Sequence, residues 1–299
     1  MKSKILSGQG GYLLLILPCL IFYILFAYIP MYGAIIAVKD FRLGDTIGSA
    51  PWVGFRWFRE FFTSMYFWRL IKNTLIINFY QLVFGFPVPI IFALVVNEIR
   101  IRKFKRTLQT ISYMPHFISV VVVVGILTNL FGVNHGIVNT VLESWGREKI
   151  HFFLQPRWFR PLYVGSGIWQ SFGYGSIIYI AAMSDVNMNL YEAAIIDGAN
   201  RLQQIRHITL QAIKPTIVIL LILNIGALMS EGFAKIILMY NPATYVVADV
   251  ISTYVYRRGL VEMQYSFSAA VGLFNSVVNF LMLVGANALS KRFSEVSLW

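Results

Sequence analysis

The chain has 299 residues, of which 58% are hydrophobic and 13% charged, and its mean hydropathy is +0.67. A soluble domain normally carries about a quarter charged residues, so the apolar share exceeds what a globular core can bury and predicts an integral membrane protein. The net charge of +12 lies in blocks of Lys and Arg between apolar runs. This pattern is typical of charge that sets membrane topology and contacts lipid headgroups, and it argues against nucleic-acid binding.

Six apolar stretches are long enough for a membrane span, which needs roughly 20 residues. In chain order they are residues 12–37, 73–97, 112–132, 162–183, 215–239 and 266–289. The first is too long for a cleaved signal peptide, so we expect it to be retained. An even number of spans puts both termini on one side of the membrane. The basic cluster between Arg100 and Arg106, next to a span end, favours the cytoplasmic side.

These stretches predict an all-α integral membrane protein with six transmembrane helices. Residues 1–72 would supply the first span and an extracytoplasmic segment, residues 73–289 the membrane core, and residues 290–299 a cytoplasmic tail. Within the extracytoplasmic segment, residues 40–72 interleave aromatic side chains with arginines, as in helices that lie in the headgroup region. We expect an interfacial helix there; a docking surface for a soluble partner is the alternative.

The sequence has no signature of a catalytic, nucleotide or metal site. No G-x-x-x-x-G-K-[ST] motif is present, so the chain has no P-loop to hold nucleotide phosphates. The histidines have no metal-ligand spacing, and the one cysteine, Cys19, lies in an apolar run. We therefore predict a chain that is not an enzyme and binds no metal or cofactor.

A polar segment, residues 185–215, interrupts the apolar pattern between the fourth and fifth stretches. Its first part is rich in Ala and Ile and favours a short amphipathic helix, which Gly198 can end. A second short helix is expected over about 201–213, and Pro215 is expected to open the next span. Two short helices at an angle would form a knob that fits a cleft on a soluble partner.

This segment resembles the EAA loop of binding-protein-dependent ABC importers, whose pattern is E-A-A-x-x-D-G-A followed by I-x-L-P. The matching positions are Glu192, Ala193, Ala194, Asp197, Gly198 and Ala199, followed by Ile208-Thr209-Leu210. The family's proline after the triplet is replaced by Gln211. The resemblance implies the type I ABC importer permease fold, with a cytoplasmic loop that couples at these positions to two ATPase subunits carrying ATP and Mg.

Two further stretches narrow the resemblance to permeases of oligo- and polysaccharide importers. They are Phe67-Trp68-Arg69-Leu70-Ile71-Lys72-Asn73-Thr74 and the segment from Tyr240 to Leu260. The segment is similar to lipoprotein-associated, rhamnogalacturonan and alginate permeases. The resemblance implies a multi-pass subunit of the bacterial inner membrane that imports an oligo- or polysaccharide by alternating access. Its expected partners are a second homologous permease and an extracytoplasmic solute-binding protein.

Polar residues inside spans are candidates for the substrate pathway. In the fifth stretch, Asn224, Leu228, Glu231 and Lys235 have the spacing of one helical face. Such a face would line a water-filled path, or Glu231 and Lys235 would simply pair. Resemblance to the maltose permease, counted from the EAA glutamate, puts sugar contacts near Ser171, Tyr174, Asn224 and Glu231. The glycines beside Tyr174 also suit close helix packing.

In the sixth stretch, Asn275 and Asn279 share a face and would line the same path or bond between helices. Three other functions remain possible from the residues. An ion-coupled secondary carrier would show repeat symmetry and several buried acidic residues, and a membrane glycosyl or acyl transferase would need converging acid, base or metal groups. An ABC permease for another solute, such as amino acids or peptides, would share the EAA loop.

Overall fold

The structure is a computed structural model, and it describes residues 9–230, 232–294 and 297–298. The fold is 76% helix, and across these ranges the only β-pairing is one isolated bridge between Lys39 and Trp52. This confirms the all-α prediction. The helices α1 to α16 are, in chain order, Gln9–Tyr23, Arg56–Thr63, Phe67–Tyr80, Pro87–Glu98, Arg102–Tyr113, Val120–Phe131, Ile137–Ser144, Pro156–Gly175, Ile177–Ser184, Met188–Ile196, Arg201–Gln204, Leu210–Gly226, Phe233–Met239, Tyr245–Ala248, Ile251–Tyr256 and Tyr265–Ser294.

Several helices run into one another through π or 3-10 turns. The π-turn Gln81–Gly85 joins α3 to α4, and the π-turn Ile205–Thr209 joins α11 to α12. The 3-10 turn Met114–Phe117 follows α5. These turns keep the backbone hydrogen-bonded, which is necessary where no water is available to replace a lost bond.

Four helical stretches of the described chain are long and apolar enough to cross a membrane, and a fifth is added if one pair bent by 101° counts as a span. They are Leu14–Val38, Phe67–Glu98, Arg201–Gly226, Tyr265–Arg292 and the bent pair Arg102–Phe117 with Val120–Phe131. They overlap five of the six predicted stretches, although Arg201–Gly226 shares only residues 215–226 with the predicted 215–239. The remaining one, 162–183, is helical in α8 and α9, and α8 carries two arginines and a glutamine that lower its hydropathy.

The chain forms two compact units. Unit 1 comprises Met1–Met65 and Val255–Phe274, and unit 2 comprises Tyr66–Tyr254 and Asn275–Trp299. In unit 1, α2 lies in the segment 40–72, where we expected a helix; its place in the headgroup region stays a prediction. Its Phe61 is fully buried and packs edge-on against the rings of Phe267 and Phe274, so one face of α2 packs on the start of α16.

In unit 2, the two stretches that carry the polysaccharide-permease resemblance contact each other. The Asn73 amide donates to the carbonyl oxygens of Val246 and Asp249 at 3.0 and 2.9 Å. The Asp249 carboxylate is fully buried and pairs with Arg69 at 3.1 Å. Asn73 Oδ1 also accepts a bond from Arg160 Nη2 at 2.9 Å. One buried polar network therefore joins α3, α8 and the segment that follows α14.

The predicted fifth span, 215–239, is not one helix. α12 ends at Gly226, where a Cβ atom would lie 2.6 Å from Leu283 Cδ1, and α13 begins only at Phe233. Between them, the Met229 backbone is held by α16, because its N–H donates to Asn279 Oδ1 at 2.9 Å and its carbonyl accepts from Asn275 Nδ2 at 3.1 Å. Cross-helix bonds thus replace helical ones.

The break corrects the predicted single face of Asn224, Leu228, Glu231 and Lys235, because Asn224 and Lys235 lie on different helices. Glu231 lies outside the described residues. Between the two interpretations of Asn275 and Asn279, the contacts support bonding between helices.

The buried network around Asn73 predicts a large loss of stability on truncation. Asn73→Ala leaves the Arg160 donor and two carbonyls unpaired, and each such group costs about 1–3 kcal/mol. We expect the thermal unfolding midpoint of the detergent-solubilised protein to fall clearly. Lys149→Ala is the control, since it removes only the exposed pair with Glu143, which is worth about 0–1 kcal/mol. Equal shifts in the two variants would contradict this interpretation.

Candidate coupling loop and transport pathway

The loop after α9 is built around the short helix α10 and its two caps. The Asn187 side chain accepts a bond from the Asn189 N–H at 3.0 Å and caps the start. At the end, Gly198 has φ +78°. Its N–H bonds to Ile195 O at 3.0 Å, and the Ala199 N–H bonds to Ala194 O at 2.8 Å. These two bonds form a Schellman motif and confirm that Gly198 ends the helix.

The next helix begins at a capping box, in which Asn200 and Gln203 each bond the other's backbone N–H. The second short helix that we expected over 201–213 is instead the start of a continuous helical stretch, Arg201–Gly226. Pro215 lies inside it and does not open it. Gln211, in place of the family's proline, keeps its N–H and lets the helix continue.

The surface of α10 is apolar and exposed. None of its residues is buried, and the side chain of Ile196 is 86% exposed. Met188, Leu190, Ile195 and, in α11, Leu202 are also exposed. Exposed apolar area of this kind is typical of a surface that contacts a partner protein or a membrane. Of the six predicted coupling residues, four are exposed and two, Ala194 and Ala199, are half-buried; the exposed ones are Glu192, Ala193, Asp197 and Gly198.

Three polar contacts anchor this loop, and the sequence reasoning missed all of them. Tyr191 Oη and Thr209 Oγ1 share a hydrogen bond of 2.8 Å, and buried Gln204 donates to Ala199 O at 2.9 Å. Arg201 forms an ion pair with Glu98, at the end of α4, at 3.4 Å. α10 is therefore tied to the stretch that leads into α12.

Two of the predicted pathway residues line one cavity. Ser171 of α8 and Asn224 of α12 face a space of ≈ 290 Å³ together with Gln81, Gly175 and others. The Asn224 amide N–H donates to its own helix at Leu220 O, 2.8 Å away. Its carbonyl oxygen makes no hydrogen bond within the described chain, so it can accept one from a ligand.

A second cavity of ≈ 250 Å³ lies further along α8 and is also lined by Gln81. Its other polar lining includes Gln170 and Lys235. Gly167 faces this cavity, and Ser171 and Gly175 face the first, so one stripe of small residues at four-residue spacing borders both. Gln81 was missed from the sequence, although an amide inside an apolar stretch is a recognisable signal.

Tyr174 and Asn275 are not part of either lining. The Tyr174 ring stacks face to face on His116, with centroids 3.9 Å apart. Asn275 donates to Met229 O. Ser171 and Asn224 are therefore brought together, whereas Tyr174 and Asn275 have other contacts in this structure.

Apolar helices, an exposed coupling-type loop and polar cavities between helices define the class of membrane transport subunits. The chain belongs to the family described as binding-protein-dependent transport system inner membrane component, which matches residues 85–295. That match covers α8, α12 and the whole loop.

The chain is also similar to individual permeases. It is 45% identical, over 97% of this chain and 91% of the relative, to the polygalacturonan/rhamnogalacturonan transport system permease protein YteP of Bacillus subtilis (strain 168). A chain of a bacterial ABC transporter involved in the import of the acidic polysaccharide alginate superposes with a TM-score of 0.88 at 43% identity, covering 96% of this chain and 97% of that one. The alginate transporter in complex with an alginate pentasaccharide-bound periplasmic protein gives a TM-score of 0.88, 41% identity, and coverage of 97% and 98%.

The small-residue stripe predicts that a larger side chain impairs transport where it faces a cavity and not elsewhere on α8. At Gly167 a Cβ atom would lie 3.2 Å from Gln81 Oε1 and 3.6 Å from Lys235 Nζ, whereas at Gly165 it meets nothing within 4 Å. We expect Gly167→Val to reduce substrate uptake roughly tenfold, because overpacking costs about 1–3 kcal/mol. The matched variant Gly165→Val, two residues away in the same helix, should keep near-normal uptake. Similar losses in both would mean that the helix and not the cavity is affected.

Proposed function

We propose that this chain is the permease subunit of an ATP-driven importer that moves acidic oligo- or polysaccharides across the bacterial inner membrane by alternating access. The observation that carries the proposal is α10, a helix without a buried residue. It carries Glu192, Ala193 and Ala194 of the E-A-A-x-x-D-G-A pattern, and the rest of the pattern forms the Schellman motif at Gly198 that ends it. It is tied directly to the helix that lines the Asn224 cavity.

The proposed topology has six spans with both termini cytoplasmic, and α8 with α9 supplies the fourth span. Contacts between loops support it. The ion pair between Glu98 and Arg201 joins two segments assigned to the cytoplasmic side. Asn241 Nδ2, which donates to Phe153 O at 2.8 Å, joins two segments assigned to the outside.

In this proposal the coupling residues of α10 and its cap dock a separate ATPase subunit. Two such subunits bind ATP and Mg, and this chain contributes no cofactor site. The exposed apolar side chains of Ile195 and Ile196 supply the buried core of the contact. Glu192 and Asp197, exposed on the same helix end, supply its polar rim.

The substrate class is supported by the relatives and by the chemistry of the cavities. YteP is a polygalacturonan/rhamnogalacturonan permease, and the alginate transporter imports an acidic polysaccharide. Amide and hydroxyl groups at Gln81, Ser171 and Asn224 suit sugar hydroxyls. Tyr174 and Glu231 remain proposed pathway residues by the resemblance to the maltose permease alone. Asn275 remains one only because it shares a face of the sixth stretch with Asn279.

The proposed complex has further members. A second, homologous permease completes the membrane part, and an extracytoplasmic solute-binding protein delivers the sugar, as the periplasmic protein accompanies the alginate transporter. Membrane lipid or the second permease covers the first span, Leu14–Val38, whose most apolar window is entirely unburied.

Gly198 gives the direct test of coupling. Gly198→Val forces a β-branched residue into φ +78°, a region that such side chains avoid, and it should distort the loop that receives the ATPase. We expect a complex that assembles and hydrolyses ATP but no longer couples hydrolysis to uptake. Gly146→Val is the matched control, since Gly146 also has positive φ (69°) and open space around it, yet lies in a segment assigned to the outside. Substrate-stimulated ATPase activity and uptake at the normal level in Gly198→Val would refute the coupling assignment.

Because ATP hydrolysis is assigned to separate subunits and this chain has no P-loop, we expect the purified chain alone to have no ATPase activity. The measurement is phosphate release with and without the partner subunits. Vanadate-sensitive hydrolysis by the single chain would contradict the proposal.

A further inference from the structure

Lys235, at the start of α13, is buried and has only neutral partners among the described residues. Its side chain is 7% exposed. Nζ donates to the Tyr163 carbonyl oxygen at 3.1 Å and lies 5.1 Å from the centre of the Tyr163 ring. A carbonyl and a ring face stabilise an ammonium but do not neutralise it, and a buried charge without a counter-charge is costly.

Open space lies beside this ammonium. Lys235 lines the ≈ 250 Å³ cavity, whose described lining contains no carboxylate. The Gln81 amide faces the same cavity and makes no hydrogen bond to the described residues. Both groups converge on Gly167, whose Cβ position is 3.2 Å from Gln81 Oε1 and 3.6 Å from Lys235 Nζ. The Lys235 ammonium and the Gln81 amide therefore border the same small cavity next to Gly167.

We propose that Lys235 and Gln81 form a subsite for the carboxylate of a uronic acid unit in the transported chain. The inference rests on the proposed function and narrows its substrate class. The ammonium supplies the counter-charge that a carboxylate needs, and the Gln81 amide bonds a neighbouring carboxylate or hydroxyl oxygen.

The arrangement of the cavities extends this assignment to a second sugar unit. Gln81 lines both spaces, so a chain with its uronate at Lys235 presents its next unit to Ser171 and Asn224. A neutral sugar leaves Lys235 without a counter-charge, and sites with buried polar groups discriminate strongly against ligands that leave those groups unpaired. The subsite thus selects for acidic chains.

The test compares an acidic sugar with its neutral form in the complete transporter. The permease, its partner subunits and binding protein preloaded with trigalacturonate or with its methyl ester are combined in proteoliposomes, and uptake is measured. We expect Lys235→Met to lower uptake of the acid at least tenfold and to leave the ester within about twofold of wild type. Lys235→Arg, which keeps the charge, should retain the preference for the acid.

Lys39 offers a matched control. It is also buried, at 5% exposure, donates to the Ile47 and Gly48 carbonyl oxygens, and lies 4.8 Å from the centre of the Trp52 ring. Lys39→Met removes the same charge from a similar environment in unit 1, and it should leave the acid-to-ester ratio unchanged. A ratio altered as much by Lys39→Met as by Lys235→Met would overturn the inference.

Two further outcomes bear on the inference in different ways. In the first, the wild type takes up both sugars, and Lys235→Met either loses uptake of both equally or loses neither. This would overturn the inference and leave the proposed function intact. Wild-type uptake of neither sugar would remove the proposed function and the inference with it.

The last part of the test concerns Glu231, because the sequence spacing also allows it to pair with Lys235. If Lys235 binds the substrate carboxylate, the double variant Lys235→Met with Glu231→Gln should transport the acid as poorly as Lys235→Met alone. Recovery of acid uptake in the double variant would show that Lys235 serves only to neutralise Glu231, and the inference would fail.

Discussion

A carboxylate buried in a membrane protein needs a cation and hydrogen-bond donors, and Asp249 receives both. Arg69 neutralises it, Thr253 Oγ1 donates to it at 2.9 Å, and the Asn73 amide holds its backbone carbonyl. Asn73 in turn bonds Arg160 of α8. Because α8 carries the small-residue stripe that borders both cavities, the position of this cavity wall depends on the pair of Arg69 and Asp249.

The same need for bonded polar groups applies at the break between α12 and α13. A helix that stops inside a membrane must have its free backbone groups bonded by neighbours, and α16 does this through Asn275 and Asn279. The break is what allows Lys235 to turn toward Tyr163 and α8, away from the register of α12. Polar side chains of α16 thus shape the cavity without lining it.

How far the sequence predicted this structure depends on the range of the interactions involved. The helices follow from hydropathy, and the end of α10 follows from a glycine with its local bonds. Ser171 and Asn224 line one cavity, and their role as sugar contacts stays a prediction. The break after Gly226 and the stack of Tyr174 on His116 depend on partners distant in sequence. Hydrophobic periodicity carries no information about such partners. The prediction of one continuous helical face from Asn224 to Lys235 was therefore wrong.

The continuity of Arg201–Gly226 has a mechanical consequence. Its 26 residues form a rod about 39 Å long at 1.5 Å per residue, with one end at the Arg201 ion pair and the other next to Asn224. Over that length, a tilt of about 5° corresponds to a displacement of about 3 Å at the far end. The helix does not continue beyond Gly226, so a tilt of this stretch would change the width of the cavity at Asn224.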